Sequence, residues 1–473
     1  MAAPLILWFR NDLRLDDNPA LDAAARSGAP VVALYVLDDE SAGRWRMGAA
    51  SRWWLHHSLA ALAADLGRLG VSLILRRGRA EFVLEGLIEE TGAGAVYWNR
   101  LYEPWAMRRD SEIKASLRAL GLTVESFNGA LLFEPAHMRN KQGETFKVFS
   151  PFWRACLASG GPPPPLPAPK KLAAARAPES DALDDWRLPP TKPDWAQGLR
   201  ETWRVGEKAA RARLSEFAKD RLRDYKTARD FMGEEGTSRL SPHLHFGEVS
   251  PRRVWAEATS QAGEAGLPFL RELGWREFCH HLLVAFPEMP DRGLDKRFDA
   301  FSWRDDPAAL AAWRKGVTGY PLVDAGMRQL WLTGYMHNRA RMVAASFLIK
   351  HLLIPWQIGE RWFWDTLVDA DLANNSGGWQ WVAGCGADAA PYFRVFNPVL
   401  QGEKFDPYGD YVRRYVPELA GLDARWIHRP WEAPADVLGQ AGVRLGESYP
   451  RPIVDHAEAR ARALAAFEDV RLN

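Results

Sequence analysis

The densest chemistry in the 473-residue sequence lies between Trp362 and Pro398. There Asp369, Asp371, Asn374, Asn375, Gly377, Gly378, Trp379, Gln380, Trp381 and Asp388 crowd together. A helix C-terminus capped by Asn-Asn-Ser-Gly-Gly would account for part of this run. Two acids, three amides and two indoles within 13 residues nevertheless exceed what a turn needs. Carboxylates repel phosphate but accept hydrogen bonds from ribose hydroxyls or from the N–H groups of a heterocycle, and indoles offer flat faces for stacking. A second cluster, Thr237-Ser238-Arg239-Leu240-Ser241 after Gly236, has the hydroxyls and the cation that can cradle a phosphate ahead of a helix. Alone it reads equally well as a helix N-cap. A third is Glu272, Trp275 and Arg276, whose spacings of three and four place the acid on one helical face with both partners. A fourth is His337-Asn338-Arg339 with Arg341 and Met342, in which Asn338 and Met342 lie one turn apart. The basic run from Lys208 to Arg229 is broken by Glu216, Asp220 and Asp224, and its default reading is a solvated helix face.

Composition narrows what these clusters serve. The chain carries 22 tryptophans, far more than core packing needs, and many after residue 190 have polar neighbours. That pattern suggests stacking on flat rings, either of a cofactor or of bases. Net charge is +1, which excludes a uniformly basic nucleic-acid coat but leaves room for a local basic groove. The three cysteines are far apart without a CxxC, so no metal site and no disulfide framework is expected, and a reducing cytosol suits the chain. No apolar run approaches a membrane span. Leu5–Phe9 is followed at once by Arg10, Asp12 and Arg14, which argues against a signal peptide.

The elements that must position these residues fall into two styles. Residues 1–130 alternate strand-length apolar runs (Leu5–Phe9, Val31–Leu37, Val71–Leu75, Ala95–Trp98) with helical stretches (Ser51–Gly67, Glu81–Thr91, Asp110–Leu120). This predicts βαβ units and a doubly wound parallel sheet, without the GxGxxG of a dinucleotide fold. Residues 131–200 read as a connector, with a proline cluster between Pro162 and Pro169. From 201 to 473 helical periods dominate: Gly206–Lys219, Leu267–Phe286, Pro307–Lys315, Pro321–Thr333, Arg339–Leu353 and Arg361–Leu372. Ser250 before Pro251 predicts an N-cap.

Taken together, the four clusters resemble the DNA photolyase and cryptochrome family. The resemblance spans the chain, from Trp8-Phe9-Arg10-Asn11-Asp12-Leu13-Arg14 and Asp17-Asn18 through Thr318–Leu330 (TGYPLVDAGMRQL), Asn338–Gln357 (NRARMVAASFLIKHLLIPWQ) and Asp388–Pro398 to Gln401–Phe405. It implies an α/β domain for an antenna chromophore (1–130), a connector (131–200) and an all-helical FAD-binding domain (201–473). It further implies light-driven repair of cyclobutane pyrimidine dimers in DNA by a cytoplasmic monomer. By residue, the resemblance puts the FAD phosphates at Thr237, Ser238, Arg239, Leu240 and Ser241 with Tyr225 nearby. It pairs Arg341 with Asp369 beside the isoalloxazine, Asp371 with the pyrimidine edge, and Asn375 with flavin N5. Phe269, Glu272, Arg276 and Asn338 complete the flavin contacts. Trp379, Trp356 and Trp303 match an electron relay. Trp275, Trp381 and Met342 match the lining of the cavity for a flipped dimer, Glu272 and Asn338 its base contacts, and Arg229 and Arg339 its phosphate contacts. Trp275 and Trp381 thereby also count as DNA contacts.

Two departures matter. Trp105-Ala106 stands where one subgroup has an Asn-Glu antenna pair, while Glu103 falls where another branch places a pterin-contacting acid. With Trp105 as a stacking face, methenyltetrahydrofolate is the expected antenna. Phe269 stands where many relatives have tryptophan. Two rival readings are weaker. A (6-4) lyase needs histidines where this chain has Asn338 and Met342. A cryptochrome photoreceptor often adds a long tail, whereas this chain stops about 75 residues after Pro398, and plant members carry an acid at the position of Asn375.

Overall fold

The computed structural model describes residues 3–389 and 393–472. Five parallel strands form one sheet: β1 (Leu5–Phe9), β2 (Val31–Leu37), β3 (Leu73–Arg77), β4 (Ala95–Asn99) and β5 (Thr123–Phe127), in the order β3-β2-β1-β4-β5. The chain adds strands on one side of β1, then returns and adds them on the other, so the order reverses between β1 and β4. Ligands of open α/β sheets bind outside the carboxyl ends of the strands at such a reversal. Trp8 of β1 lies opposite Leu34 of β2 and Trp98 of β4, and all three belong to the buried core. The flanking helices are α1 (Pro19–Ser27), α2 (Ala49–Arg68), α3 (Ala80–Thr91) and α4 (Pro104–Ala119). Asn18 caps α1 by accepting from Leu21 N, with proline at the first position and Gly28 in the left-handed conformation at the end.

The expected strand Val71–Leu75 is shifted, because Val71 N–H closes the end of α2 on Leu66 O and the strand runs on to Arg77. Strand β5 was not expected from the sequence. The connector does not float free. Val31 N donates to Ala173 O at 2.7 Å, Asp181 N to Leu75 O at 2.9 Å, and Leu75 N to Ser180 Oγ at 2.9 Å, so this stretch is laid along β2 and β3.

After residue 200 every element among the described residues is helical. Ser250 caps the helix Pro251–Ala262 by accepting from Arg253 N, as the Ser-Pro pair predicts. The expected helix Arg361–Leu372 is corrected: one helix runs Trp356–Thr366, the chain leaves helical geometry, and a second helix runs Leu372–Ala383. Asn-Asn-Ser-Gly-Gly is therefore helix interior and not a C-cap. Side-chain anchors explain why. Asn375 Nδ2 donates to Glu360 O at 3.0 Å, Ser376 Oγ to Glu360 Oε1 at 2.5 Å, and Gln380 Nε2 to Met289 O at 2.6 Å. Arg339–Leu353 likewise divides into an α-helix, Asn338–Ser346, and a π-turn, Phe347–His351.

The described chain forms two compact units. One comprises residues up to Arg223 with Ser238–Pro287 and Val368–Ala373; the other comprises Asp224–Thr237, Glu288–Leu367 and the residues from Asn374 on. Among the described residues no helix is long and apolar enough to cross a membrane, and no group of three or more His, Cys, Asp or Glu is placed to hold a metal.

Candidate functional site

In the first unit the Ser/Thr loop ends in a short helix, Ser241–His245. Leu240 is buried at its base, and Leu240 N donates to Ser238 Oγ at 3.3 Å. Arg213 Nε donates to Ser238 O at 3.0 Å. Arg239 adopts φ 52°, a left-handed conformation that costs a non-glycine residue of the order of 1 kcal/mol or more and that clusters at ligand-binding loops. The loop meets the acidic segment directly, since Ser241 Oγ donates to Asp369 Oδ2 at 2.6 Å across 128 residues of sequence. Asp371 is approached by His280 Nε2 at 3.3 Å and His245 Nδ1 at 3.7 Å. Burial alone would push its carboxyl up, but the two imidazoles hold it well below the usual carboxylate range.

The helix Leu267–Ala285 supplies the third cluster. Phe269 is buried against Phe217 at 4.8 Å. Trp275 stacks on Phe149 with centroids 3.8 Å apart and planes 6° from parallel, so one face of the indole belongs to the protein. Arg276 Nη1 donates to Ala130 O at 2.8 Å and pairs with Glu277 at 3.4 Å. Glu272 is half-buried. Glu277 was not singled out in the sequence. It is fully buried, accepts from Leu132 N and Phe133 N at 2.8 and 3.2 Å, and is pushed up to about 7 by burial.

In the second unit Gly236 is packed onto the turn that carries Tyr225. A Cβ there would sit 2.2 Å from Ala228 O, so only glycine lets the loop approach so closely. Thr237 is half-buried and Tyr225 is buried with the Arg229 guanidinium over its ring at 5.3 Å. The fourth cluster opens the helix Asn338–Ser346, where His337 Nδ1 accepts from Arg339 N at 3.2 Å. Arg339 pairs with Asp230 at 2.6 Å and lies over Phe405 at 4.2 Å. Asn338 is exposed, with its amide nitrogen 3.9 Å from Met342 Sδ. Arg341 donates to Met336 O at 2.7 Å and lies over Tyr335 at 5.2 Å. Asn375 is half-buried and anchored to Glu360 as described.

Of the three candidate relay indoles, Trp379 and Trp356 are buried and Trp303 is half-buried beside Phe301 at 4.4 Å. Trp379 packs edge-on to Phe363 at 4.9 Å and Trp313 at 6.3 Å. Trp381 Nε1 donates at 3.1 Å to the carbonyl of Asp388, a residue with φ 52°.

At the carboxyl end of β4, Glu103 precedes α4 and makes no side-chain cap. Its Oε2 is buried with no hydrogen-bond partner among the described residues. The alternative for Glu103 is a loop acid salt-bridged to Arg100 or Arg108; Arg100 is engaged by Glu134 at 3.0 Å. The Arg109 guanidinium lies over both Trp105 (5.0 Å) and Trp8 (4.9 Å) and is tied to Asp38 and Asp110 at 3.2 and 2.8 Å.

The sequence reading missed His245, His280 and Glu277. Nothing in their local spacing distinguishes them from core residues, because their partners lie far along the chain.

Comparison with known proteins bears on all of this. Residues 5–170 match the family profile "DNA photolyase", and residues 269–469 match "FAD binding domain of DNA photolyase". The chain is 53% identical over 474 residues to a deoxyribodipyrimidine photo-lyase of Agrobacterium fabrum, covering 99% of this chain and 98% of the relative. It is 42% identical to cryptochrome-1 of Arabidopsis thaliana, covering 98% of this chain and 70% of that protein. The crystal structure of a bacterial class III photolyase from Agrobacterium tumefaciens superposes with a TM-score of 0.97 at 53% identity, covering 100% of this chain and 98% of that one.

Proposed function

The chain belongs to the DNA photolyase family and is a deoxyribodipyrimidine photo-lyase, and from that premise we propose that it splits cyclobutane pyrimidine dimers by light-driven electron transfer. When bound, reduced and photoexcited FAD supplies the electron that opens the cyclobutane ring and receives it back. The observation that carries the reading is the hydrogen bond joining Ser241 to Asp369, because it unites the hydroxyl loop with the acidic segment that the resemblance assigns to one cofactor.

The residues fit the group. Thr237 and Ser238 offer hydroxyls and, with Ser241, backbone N–H groups for phosphates, the Ser241 hydroxyl proton being given to Asp369, and Gly236 leaves the loop no room for a side chain. The ionised Asp371 is an acceptor for the N–H groups of a heterocycle, and His245 Nδ1 is buried without a hydrogen bond among the described residues. Tyr225, Arg239, Leu240, Phe269, Glu272, Arg276, Asn338, Arg341 and Asp369 are proposed to complete this binding set. Asn375, an amide, would hydrogen-bond at flavin N5 without being able to protonate it. Trp303, Trp356 and Trp379 relay electrons inward to the cofactor.

Enzymes that act on a base take it out of the stack, photolyases among them. Trp275 is pre-stacked on Phe149 and so presents one rigid face to an extruded dimer. Trp381 and Met342 form further walls, Glu272 and Asn338 bind the base edges, and Arg229 and Arg339 meet phosphates. The pairing of Asn338 with Met342, where a (6-4) lyase would need histidines, favours the cyclobutane lesion. A photoreceptor reading follows from the likeness to a plant cryptochrome, and the amide at Asn375 weighs against it. In the α/β part (1–130), which the connector (131–200) joins to the FAD-binding part (201–473), the unpartnered Glu103 Oε2 supports methenyltetrahydrofolate as antenna, bound through its amino and ring N–H groups. The test is repair of a dimer-containing oligonucleotide by the purified protein. Blue-light-dependent loss of the dimer with no loss in the dark is expected, and equal outcomes in light and dark refute the proposal.

A further inference from the structure

His280 and His245 close on Asp371 from two helices. The other ring nitrogen of His280, Nδ1, lies 2.9 Å from the carbonyl oxygen of Arg276, one turn earlier. A carbonyl only accepts, so Nδ1 carries a proton. A neutral ring would then aim the bare lone pair of Nε2 at a carboxylate oxygen 3.3 Å away, a repulsive contact that a buried site does not screen. The contact turns attractive only when a second proton lies between Nε2 and Oδ2. Burial opposes charge on both groups, yet their mutual attraction moves His280 above its ordinary value and Asp371 well below its own. The proton therefore resides on the imidazole. Arg276 opposes that positive charge, while the buried Glu277 favours it. His281, next along the helix, stays neutral, pushed down to about 4 chiefly by burial.

We propose that His280 is a positioning residue of the flavin site: held as an imidazolium, it keeps Asp371 an anionic acceptor for the N–H groups of the flavin's pyrimidine edge and makes cofactor retention fall as pH rises. This rests on the reading of Asp371 as a flavin contact. When His280 loses its second proton, its lone pair faces the carboxylate, the pair separates, and the acceptor leaves its position.

The holoenzyme tests the idea with two readouts. Nitrogen-15 labelling of the 11 histidines, with His280→Gln to identify the signal, gives the protonation of each ring nitrogen. A doubly protonated ring at about pH 7.5 is expected, titrating above the ordinary histidine range and moving down by about one unit or more in Asp371→Asn. The rate of FAD release, followed by flavin fluorescence from about pH 6 to about pH 9.5, should rise about tenfold across that titration in the wild type. It should be high at every pH in His280→Gln, and flat and low in His280→Arg or His280→Lys, whose charge persists. An unprotonated Nε2 at neutral pH overturns the charge pair. Release that ignores pH while the ring is doubly protonated overturns the link to flavin. A protein that never binds FAD fails at the underlying flavin reading, and the nitrogen signals then decide the charge pair alone.

Discussion

Gly359 offers a test in which packing and electron relay are read from one substitution. It lies in the helix Trp356–Thr366, where an alanine would be favoured over glycine by about 1 kcal/mol if nothing else intervened. Here a Cβ would fall 2.1 Å from Trp379 Cη2, 2.5 Å from Cζ3 and 2.7 Å from Leu348 Cδ2. Ordinary carbon contacts begin near 3.5 Å, so the indole must retreat by about 1.4 Å, and it is hemmed in by Phe363 and Trp313. Overpacking of this kind costs about 1–3 kcal/mol. Set against the helix-propensity gain, Gly359→Ala should destabilise the protein by up to about 2 kcal/mol, or a few degrees of melting temperature. Gly378→Ala is the control: the position is also helical, it is exposed, and a Cβ there meets nothing within 4 Å. That variant should gain up to about 1 kcal/mol. Melting curves followed by near-ultraviolet circular dichroism compare the two, and photoreduction of oxidised flavin then reports whether displacing Trp379 slows electron delivery. If Gly359→Ala melts with or above Gly378→Ala and photoreduces at the wild-type rate, the reasoning fails at both steps.

Replacing Trp303, Trp356 or Trp379 by Phe should slow flavin photoreduction while repair by chemically pre-reduced enzyme persists; unchanged photoreduction in all three means the electron takes another path. Asp324→Asn should cost about 3 kcal/mol, read as a fall in urea midpoint. The buried carboxylate accepts from Thr318 N, Thr318 Oγ1, Gly319 N and Tyr449 OH, and an amide nitrogen would leave two donors on its side unmet. Acid should destabilise the protein as pH falls from about 6.5 towards 4. Burial holds His281 and His337 down at about 4 and His351 at about 3, so in that window these three sites take up protons when unfolded that they refuse when folded, outweighing the opposite contribution of Glu277, pushed up to about 7. A urea midpoint that stays flat over the window contradicts this. Glu103→Gln should reduce retention of added methenyltetrahydrofolate, measured by near-ultraviolet absorbance; equal retention removes Glu103 from the antenna site.

What the sequence disclosed and what it hid have separate physical origins. Strands β1 and β2 are buried along their whole length, so they appear as continuous apolar runs and their limits are legible. Strand β5, Thr-Val-Glu-Ser-Phe, is an edge strand that buries only Val124, and it carries almost no apolar signal. The break after Thr366 was hidden for the opposite reason. Leu367 and Val368 are buried although they are not helical, so the apolar pattern continues straight through the turn. Residue types alone nominated Asp369, Asp371 and the loop Thr237–Ser241, because their donor and acceptor chemistry is conspicuous. The histidines beside Asp371 were invisible, since an imidazole becomes a charged partner only once the fold sets it against a carboxylate distant in sequence.

The 22 tryptophans serve two purposes. Their number suggests stacking on flat rings of a cofactor or bases, yet Trp8, Trp53, Trp54, Trp98 and Trp313 are among the largest fully buried side chains in the protein. Trp54 packs edge-on to Trp203 and His243 while its Nε1 donates to Glu248 at 3.0 Å, which is a satisfied core indole in the ordinary sense. Four of those five lie in the α/β region, so much of the excess is structural. Burial does not separate all of the indoles proposed for electron relay and lesion binding from these, for Trp379 is as inaccessible as Trp53, although Trp275, Trp303 and Trp381 are half-buried. They differ in neighbourhood. Trp379 and Trp381 belong to the helix that follows directly on Asp369 and Asp371 and also carries Asn375, and Trp356 opens the helix whose Glu360 anchors that same segment. A packing mutation at the four indoles of the sheet region should therefore act on stability alone, whereas Trp313, which packs edge-on to Trp379, goes with the second group. One in the second should act on stability and electron delivery together, as at Gly359, where an added Cβ would meet Trp379.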